Sequence, residues 1–193
     1  MTKVFLLNGH HESFGSPGTL NAGFAARAAG FFEAKGWEVR QTATAGAYDV
    51  AEEIANLLWA DVVFLQMPLN WMGAPWGFKK YIDEVWTMGM MGQLSNGDGR
   101  TSDAPKKNYG LGGKLSGRYM ISATGNVPRE AFNDPAETFF GGMSEEDLLR
   151  PMHLNFKWLG LEALPSFMAY DVMKNPEIES DFSRFDTHLA QHF

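Results

Sequence analysis

The sequence contains no cysteine, and this absence excludes several kinds of chemistry at once. Without thiols the chain has no disulfide framework, no thiolate nucleophile and no cysteine-ligated zinc or iron–sulfur centre. A reducing compartment fits this composition. We predict no metal site for the chain.

Positive charge and long apolar runs are also scarce. Lys and Arg number 16 against 23 Asp and Glu, which gives a formal net charge of −7. That balance disfavours nucleic acid and anionic membranes as partners. The first residues, Met1 to Val4, lead straight into an apolar run that is too short for a signal segment or a membrane span. We therefore expect a cytoplasmic protein with no membrane span and no nucleic-acid partner.

The length of 193 residues predicts one domain, 1–193, because domains cluster at about 100–200 residues. Hydrophobic residues make up 45% of the chain, which is enough to close a core. Aromatic residues reach 13%, and aromatic side chains often line binding sites for flat ligands and dimer interfaces.

Short apolar runs alternate with longer amphipathic segments along the chain. This alternation predicts an α/β protein with a five-stranded parallel sheet, right-handed crossovers and helices on both faces. The predicted strands are 4–7, 37–43, 62–67, 119–124 and 164–170, and the predicted helices are 21–35, 49–59, 77–86, 144–159 and 178–192.

Several helix ends carry recognisable capping residues. Asp49 is a candidate N-cap, Gly36 is a candidate C-cap, and Ser144 with Asp147 forms a candidate capping box. The Gly- and Met-rich connection 87–117 is long and lacks clear periodicity, which is typical of a loop with a functional role.

The segment 9–21 follows the first strand and opens the first helix. Backbone N–H groups near Gly18 to Asn21 would lie at a positive helix end, an arrangement that binds phosphate. The segment has no Gly-Lys-Ser/Thr and no strict G-x-G-x-x-G, so it is not a P-loop and a Rossmann site is weakly supported. Ser16 and Thr19 offer neutral donors, and His10 either donates to phosphate or ends the strand. The alternative is a helix N-cap with turn glycines.

The segment 66–76 follows the third strand and is rich in aromatic and rigid residues. Pro68 and Pro75 stiffen it, Gly73 allows close approach or an unusual φ, and Trp71 and Trp76 are expected to be exposed. A rigid loop with a flat side chain and free amides suits an isoalloxazine ring. The alternative is a hydrophobic loop buried under a crossover or a dimer partner.

The segment 124–128 follows the fourth strand and offers amides and the Thr124 hydroxyl at the same sheet edge. Backbone N–H groups there would stabilise the negative charge of a reduced flavin. Alone it is a turn, but three strand-end loops with complementary chemistry favour a flavin. His153 stands among apolar neighbours, and we interpret it as structural.

Several short motifs, spread nearly end to end along the chain, occur together in one family. They are Asn8-Gly9-His10, Ser16-x-Gly18-x-Leu20-Asn21, 58–63, Gln66-Met67-Pro68, 71–76, 79–83, 98–101, Lys106-Lys107-x-Tyr109-Gly110, 164–167 and Asp171-Val172. In these motifs the sequence resembles the bacterial modulator of drug activity B family of NAD(P)H:quinone oxidoreductases. The segment 68–75 is also similar to the flavin loop of animal quinone reductases. The resemblance implies a flavodoxin-like fold with strand order 2-1-3-4-5.

The resemblance also implies a function: two-electron reduction of quinones by NADPH or NADH through a ping-pong mechanism, in response to oxidative stress. It implies one FAD per subunit in a homodimer whose flavin sites lie at the interface. By motif position, Tyr109 would contact FAD, either within its subunit or across the dimer, and His10 matches a pyrophosphate contact of the animal enzymes. The proton for the quinone would come from Tyr109 or from water. The implied FAD contacts are Ser16, Pro17, Gly18, Thr19, Leu20, Asn21 and Gly23 for the pyrophosphate and ribityl chain, and Pro68, Leu69, Asn70, Trp71, Met72, Thr124, Gly125, Asn126 and Val127 for the ring.

The sequence departs from the bacterial pattern at two places near the expected ring. Leu69-Asn70 replaces the usual Gly-Trp, and Gly125 replaces a Trp. We expect these changes to open or reshape the substrate side of the pocket. Three other functions remain compatible with the residues: an azo- or nitroreductase with the same flavin, a one-electron flavin carrier, and a flavin-binding accessory subunit.

Overall fold

The computed structural model describes residues 1–13 and 15–193, so Phe14 in the first strand-end segment lies outside the described residues. Its centre is a parallel sheet of order β2-β1-β3-β4-β5, with β6 also paired to β4. This confirms the predicted α/β class and the order 2-1-3-4-5. The strands are β1 (Lys3–Asn8), β2 (Glu38–Ala43), β3 (Val62–Pro68), β4 (Arg118–Thr124), β5 (Glu162–Ala163) and β6 (Phe167–Ala169).

Helices cover both faces of the sheet. Because side chains alternate along a strand, Leu6 and Phe64 pack with α1 and α6, whereas Leu7 and Leu65 pack on the opposite face with the other long helices. The helices are α1 (Thr19–Ala34), α2 (Val50–Trp59), α3 (Trp76–Tyr81), a π-helical segment (Ile82–Trp86), α4 (Thr87–Gly89), a 3₁₀ turn (Arg129–Ala131), α5 (Glu145–Trp158) and α6 (Ile178–His192).

The prediction of one fifth strand over 164–170 was wrong, because two short strands flank residues 164–166. Pro165 has no N–H to donate to the strand ladder. Its carbonyl instead accepts a hydrogen bond from His188 Nε2 at 2.9 Å, and the Ser166 N–H donates to Glu146 Oε1 at 2.9 Å. These bonds turn the chain away from β4 between the two strands.

The end of α1 confirms Gly36 as a helix terminator. Gly36 has φ 72°, and its N–H donates to the Glu33 carbonyl at 2.9 Å. The Trp37 N–H donates to the Phe32 carbonyl, and the two rings stack with centroids 5.5 Å apart. This is a Schellman motif with its hydrophobic contact, and it starts β2 at Glu38.

The predicted capping box at the start of α5 is also present. The Ser144 Oγ accepts from the Asp147 N–H at 3.1 Å, and Asp147 Oδ2 accepts from the Ser144 N–H at 3.1 Å. Hydrogen bonds from Ser144 and Arg150 lower the pKa of the Asp147 carboxyl to about 2. The charged form of Asp147 therefore stabilises the folded chain.

We expect Ser144→Ala to lower the free energy of unfolding by about 1 kcal/mol, the usual loss for an N-cap. Because the folded pKa of Asp147 lies below its unfolded value, its contribution is present above pH ~4 and is lost as pH falls towards 2. Asp147→Asn should therefore flatten the stability profile in that window. Urea unfolding between pH 7 and pH 2 measures both effects. The exposed Asp103→Asn is the control, and an Asp147→Asn profile as steep as the wild-type one would contradict the assignment.

Within residues 1–13 and 15–193, no helix combines the length and the apolar character that crossing a membrane requires.

Candidate functional site

A cleft of about 360 Å³ lies where the carboxyl ends of β1, β3 and β4 meet. The register pairs Asn8 with Gln66 and Pro68 with Thr124, so the loops that follow these strands start side by side. The volume falls within the range of small-molecule sites. Its position, beyond the carboxyl ends of parallel strands, is where open α/β sheets bind ligands.

The cleft brings together most of the residues predicted from the three strand-end segments. Its lining also includes residues that sequence reasoning missed: Ser13 and Gly15 in the first segment, and Val172 and Met173 after β6. Since β6 ends at the same edge, the strand-end rule applied to a fourth loop would have found the last two. The predicted residues that line the cleft are Ser16, Pro17, Gly18, Thr19, Leu20, Asn21, Pro68, Leu69, Asn70, Thr124 and Asn126.

The first turn of α1 lies at this cleft, because Gly18, Thr19, Leu20 and Asn21 belong to its lining. Gly18 is the N-cap, and among the described residues no side chain caps the turn. The glycine cap that the sequence allowed therefore leaves backbone donors free for an anion. None of the described residues lining the cleft carries a charge. Attraction for an anion must come from the helix end and from neutral donors.

Gly18 is required by both its conformation and its surroundings. Its φ is 82°, and a Cβ at this position would lie 2.4 Å from the His10 ring. The His10 Nε2 lies 3.1 Å from the Ser16 carbonyl oxygen, to which it donates. His10 is thus not part of the lining but supports the loop through Ser16. Its contact with a pyrophosphate stays a prediction.

Gly23 also lies outside the lining, in the second turn of α1. A Cβ on Gly23 would approach the Phe182 ring to 3.3 Å. The glycine therefore allows α1 to pack closely on α6. Its role towards a ligand stays a prediction.

The loop after β3 forms a tight turn with an unusual backbone. The Asn70 N–H donates to the Gly73 carbonyl at 2.9 Å, and the Gly73 N–H donates back to Asn70 at 3.1 Å. The positive φ values fall on Trp71 (51°) and Met72 (63°), whereas the sequence indicated Gly73 as the candidate for an unusual φ. Such conformations cost on the order of 1–3 kcal/mol each and are frequent at functional sites.

The strained turn presents Trp71 to solvent. Its side chain is 98% exposed, and neither it nor Met72 lines the cleft of its own chain. A fully exposed indole on a rigid turn is suited to contact with a flat ligand or a partner chain. The alternative of a loop buried within its own chain is thereby excluded for Trp71.

Gly125 is buried beside the cleft, and its surroundings are filled. A Cβ there would lie 2.8 Å from Met168 Cε, 3.2 Å from Val127 Cγ1 and 3.3 Å from Leu69 Cδ1. Leu69 and Met168 thus occupy the space beside the position where the resemblance expects an aromatic ring. The expected effect of Gly125 on the shape of the pocket stays a prediction.

A buried polar network beneath the cleft joins the strand ends. The Gln66 Nε2 donates to Asn21 Oδ1 at 2.8 Å, and the Asn21 Nδ2 donates to Thr124 Oγ1 at 3.1 Å. All three side chains are buried. Sequence reasoning missed Gln66, although a polar residue in a strand buried on both faces was a visible signal.

Tyr109 lies away from the cleft, on the face formed by the π-helical segment and α5. Its side chain is 68% exposed, and its ring meets Trp158 edge-on with centroids 5.0 Å apart. It lines a separate groove of about 710 Å³. A contact between Tyr109 and a ligand in the cleft would therefore require a second chain. Other residues of this groove are Ile82, Trp86, Met90, Leu111 and Leu154.

His153 bridges α5 and β4. Its Nδ1 lies 2.7 Å from the Tyr119 hydroxyl, and its Nε2 lies 2.6 Å from Glu146 Oε2. Burial raises the pKa of Glu146, but hydrogen bonds from His153 and Ser166 outweigh it and lower this pKa. Ser166 and Glu146 approach the same ring nitrogen, so the group is not a hydrolytic triad. The contacts agree with a structural role.

Comparison with known proteins adds relatives along the whole chain. A family model described as a flavodoxin-like fold matches residues 2–193. An uncharacterised protein of Schizosaccharomyces pombe is 40% identical over 192 residues, covering 99% of this chain and 97% of the relative. The NADPH:quinone oxidoreductase MdaB of Haemophilus influenzae is 40% identical over 191 residues, covering 98% of each chain.

A solved structure shows the same fold. The crystal structure of a putative quinone reductase from Klebsiella pneumoniae superposes with a TM-score of 0.78 at 23% identity. The match covers 99% of this chain and 83% of that one. At this identity the match supports the fold alone.

Proposed function

Because the chain belongs to this flavodoxin-like family, we propose that it is an NAD(P)H:quinone oxidoreductase carrying one FAD per subunit. Full-length similarity to the Haemophilus influenzae NADPH:quinone oxidoreductase supports this activity. The single observation that carries the proposal is the cleft beside the start of α1, where the described residues bring neither a charge to the lining nor a side-chain cap to the helix.

The residues present fit a flavin with a phosphate group. Ser16, Thr19 and the backbone N–H groups of the first turn offer donors for phosphate, and Gly18 allows the close approach. Leu69, Asn70, Thr124 and Asn126 line the cleft beside these donors, and the loops 69–72 and 124–127 that carry them would hold the ring. The cleft suits a ring with its ribityl phosphate, so the adenylate part of FAD would extend past it. FMN, which lacks that part, is the alternative cofactor.

When bound, the flavin would accept a hydride from NADPH or NADH and deliver two electrons to a quinone. The chain would hold the ring against the loop 69–72 and leave one face open to a flat partner. We propose that the reductant and the quinone use this face in turn, which gives ping-pong kinetics. The described lining contains no group that titrates near neutrality, so the proton would come from water or from Tyr109 of a second subunit.

The site is completed by a homodimer in this proposal. Trp71 and Tyr109 are exposed aromatic residues in separate places, and the groove around Tyr109 is mainly apolar, with Lys79, Asp83 and Lys157 also in its lining. Exposed patches of this kind on a folded chain mark interfaces. A second copy that covers both the groove and the edge of the cleft at Trp71 would bury these aromatic residues and bring its own Tyr109 to the partner's cleft.

We expect the purified protein to carry a yellow pigment that heating releases as FAD and not FMN. Under anaerobic conditions, about one equivalent of NADPH should bleach the pigment directly, and added quinone should restore the colour. Reduction that halts at a stable one-electron stage would indicate a carrier, and no reduction would indicate an accessory subunit. A panel of quinone, azo and nitro acceptors identifies the oxidant, and faster turnover of azo or nitro compounds would contradict the quinone assignment.

A further inference from the structure

Three buried side chains connect the elements that form the cleft. Gln66 belongs to β3, Asn21 to α1 and Thr124 to the end of β4, and Asn21 and Thr124 line the cleft. The bonds run from Gln66 Nε2 to Asn21 Oδ1 (2.8 Å) and from Asn21 Nδ2 to Thr124 Oγ1 (3.1 Å). The Gln66 side chain is fully buried and does not touch the cleft itself.

Donor and acceptor chemistry gives this chain of bonds a direction. The Gln66 Nε2 faces Asn21, and because an amide nitrogen only donates, the Asn21 oxygen accepts from it and the Asn21 nitrogen is turned to Thr124. The Thr124 oxygen then accepts, and its hydroxyl hydrogen is left free to donate elsewhere. The competing arrangement, in which Thr124 donates to Asn21 Oδ1, is the longer contact at 3.4 Å.

Gln66 lowers the stability of the fold, which indicates that it has a role other than packing. Its Oε1 is buried and has no partner among the described residues. An unpaired buried polar atom lowers stability, and an apolar side chain of the same volume would avoid the loss. The neighbours Leu65 and Met67 show that this strand accommodates apolar residues fully.

We propose that Gln66 and Asn21 are positioning residues that orient the Thr124 hydroxyl as a hydrogen-bond donor to the ligand in the cleft. This inference rests on the proposed function, since the acceptor is the polar edge of the bound flavin. Gln66 fixes the orientation of the Asn21 amide, and Asn21 in turn leaves the Thr124 hydrogen free. Gln66 thereby influences a ligand that it does not contact.

The test is a double-mutant cycle on the dissociation constant of FAD, measured by fluorescence quenching with the refolded apoprotein. Gln66→Met removes the amide at nearly constant volume and should raise the Kd about tenfold when Thr124 is present. In the Thr124→Val background the same change should alter the Kd less than about twofold, because no hydroxyl remains to be oriented. Thr124→Ser keeps the hydroxyl and should restore the tenfold effect.

A second variant covers the case in which Gln66→Met fails to fold. In Asn21→Asp both side-chain oxygens are acceptors, one facing Gln66 and one facing Thr124. The Thr124 hydroxyl must then donate its hydrogen to the carboxylate and can no longer donate it to the ligand. The new charge repels the flavin phosphate equally with Thr124 and with valine, and this effect cancels in the cycle. Asn56→Leu, which removes a buried amide bonded to Arg40 away from the cleft, is the control and should leave the Kd unchanged.

The outcomes separate this inference from the proposed function. Equal losses in the Thr124 and Thr124→Val backgrounds, or no loss in Gln66→Met, overturn the positioning role while the wild-type protein still binds flavin. Failure of the wild-type protein to bind FAD or FMN overturns the proposed function and the positioning role together. Strong coupling with rescue by Thr124→Ser supports the positioning role.

Discussion

Replacing Gly18 with alanine should raise the Kd for flavin more than about 100-fold while the rest of the chain stays folded. The reason is local: a Cβ at this position would lie 2.4 Å from the His10 ring, and the backbone has φ 82°. The loop would have to move away from His10, and the backbone N–H groups at the start of α1 would lose their alignment with the phosphate. Titration of the apoprotein with FAD measures the loss.

Gly15→Ala is the matched control for this prediction. Gly15 also has a positive φ of 75°, but its Cβ would meet no atom of the described residues within 4 Å. The Gly15→Ala variant should raise the Kd for flavin by less than about tenfold, since backbone strain alone costs about 1 kcal/mol. His10→Ala combined with Gly18→Ala removes the obstructing ring and should recover part of the affinity. Wild-type affinity in Gly18→Ala would refute the assignment of the phosphate loop.

Leu154→Arg should convert a dimer into monomers and lower quinone reduction at least tenfold. Leu154 is 58% exposed and lines the same groove as Tyr109 and Trp158. In the proposed dimer a second copy covers this surface, where an unpaired arginine would be buried at high cost. Separation of the chains would also remove the partner's Tyr109 from the active site. Analytical ultracentrifugation and steady-state assays measure the two effects.

Leu58→Arg is the control for the interface prediction. Leu58 is 51% exposed on α2 and does not line the groove. The variant should keep the wild-type sedimentation and activity. A Leu154→Arg protein that remains dimeric and active would show that the groove is not the interface.

Local signals in the sequence predicted most of the fold. The continuous apolar runs of β1 and β3, the glycine after α1 and the Ser144–Asp147 capping box depend on nearby residues, and the structure contains all of them. The strand predicted over 164–170 failed because local propensity did not register the competing bonds to His188 and Glu146. These partners come from distant parts of the chain.

The site was less completely predictable than the fold. Strand-end segments identified the cleft-lining loop before α1 and the turn at Trp71, because parallel strands bring their carboxyl ends to one edge. The positive φ of Trp71 and Met72, the hydrogen bond from Gln66 to Asn21 and the distance of Tyr109 from the cleft depend on tertiary packing. No spacing in the sequence encodes such contacts.

A crystal structure of the protein grown with FAD shows where the coenzyme binds. We expect density for the tricyclic ring between the turn at Trp71 and the segment 124–127, with the phosphates against the start of α1. Density for the coenzyme at any other place would contradict the proposed flavin site. So would the absence of density in crystals grown with saturating FAD.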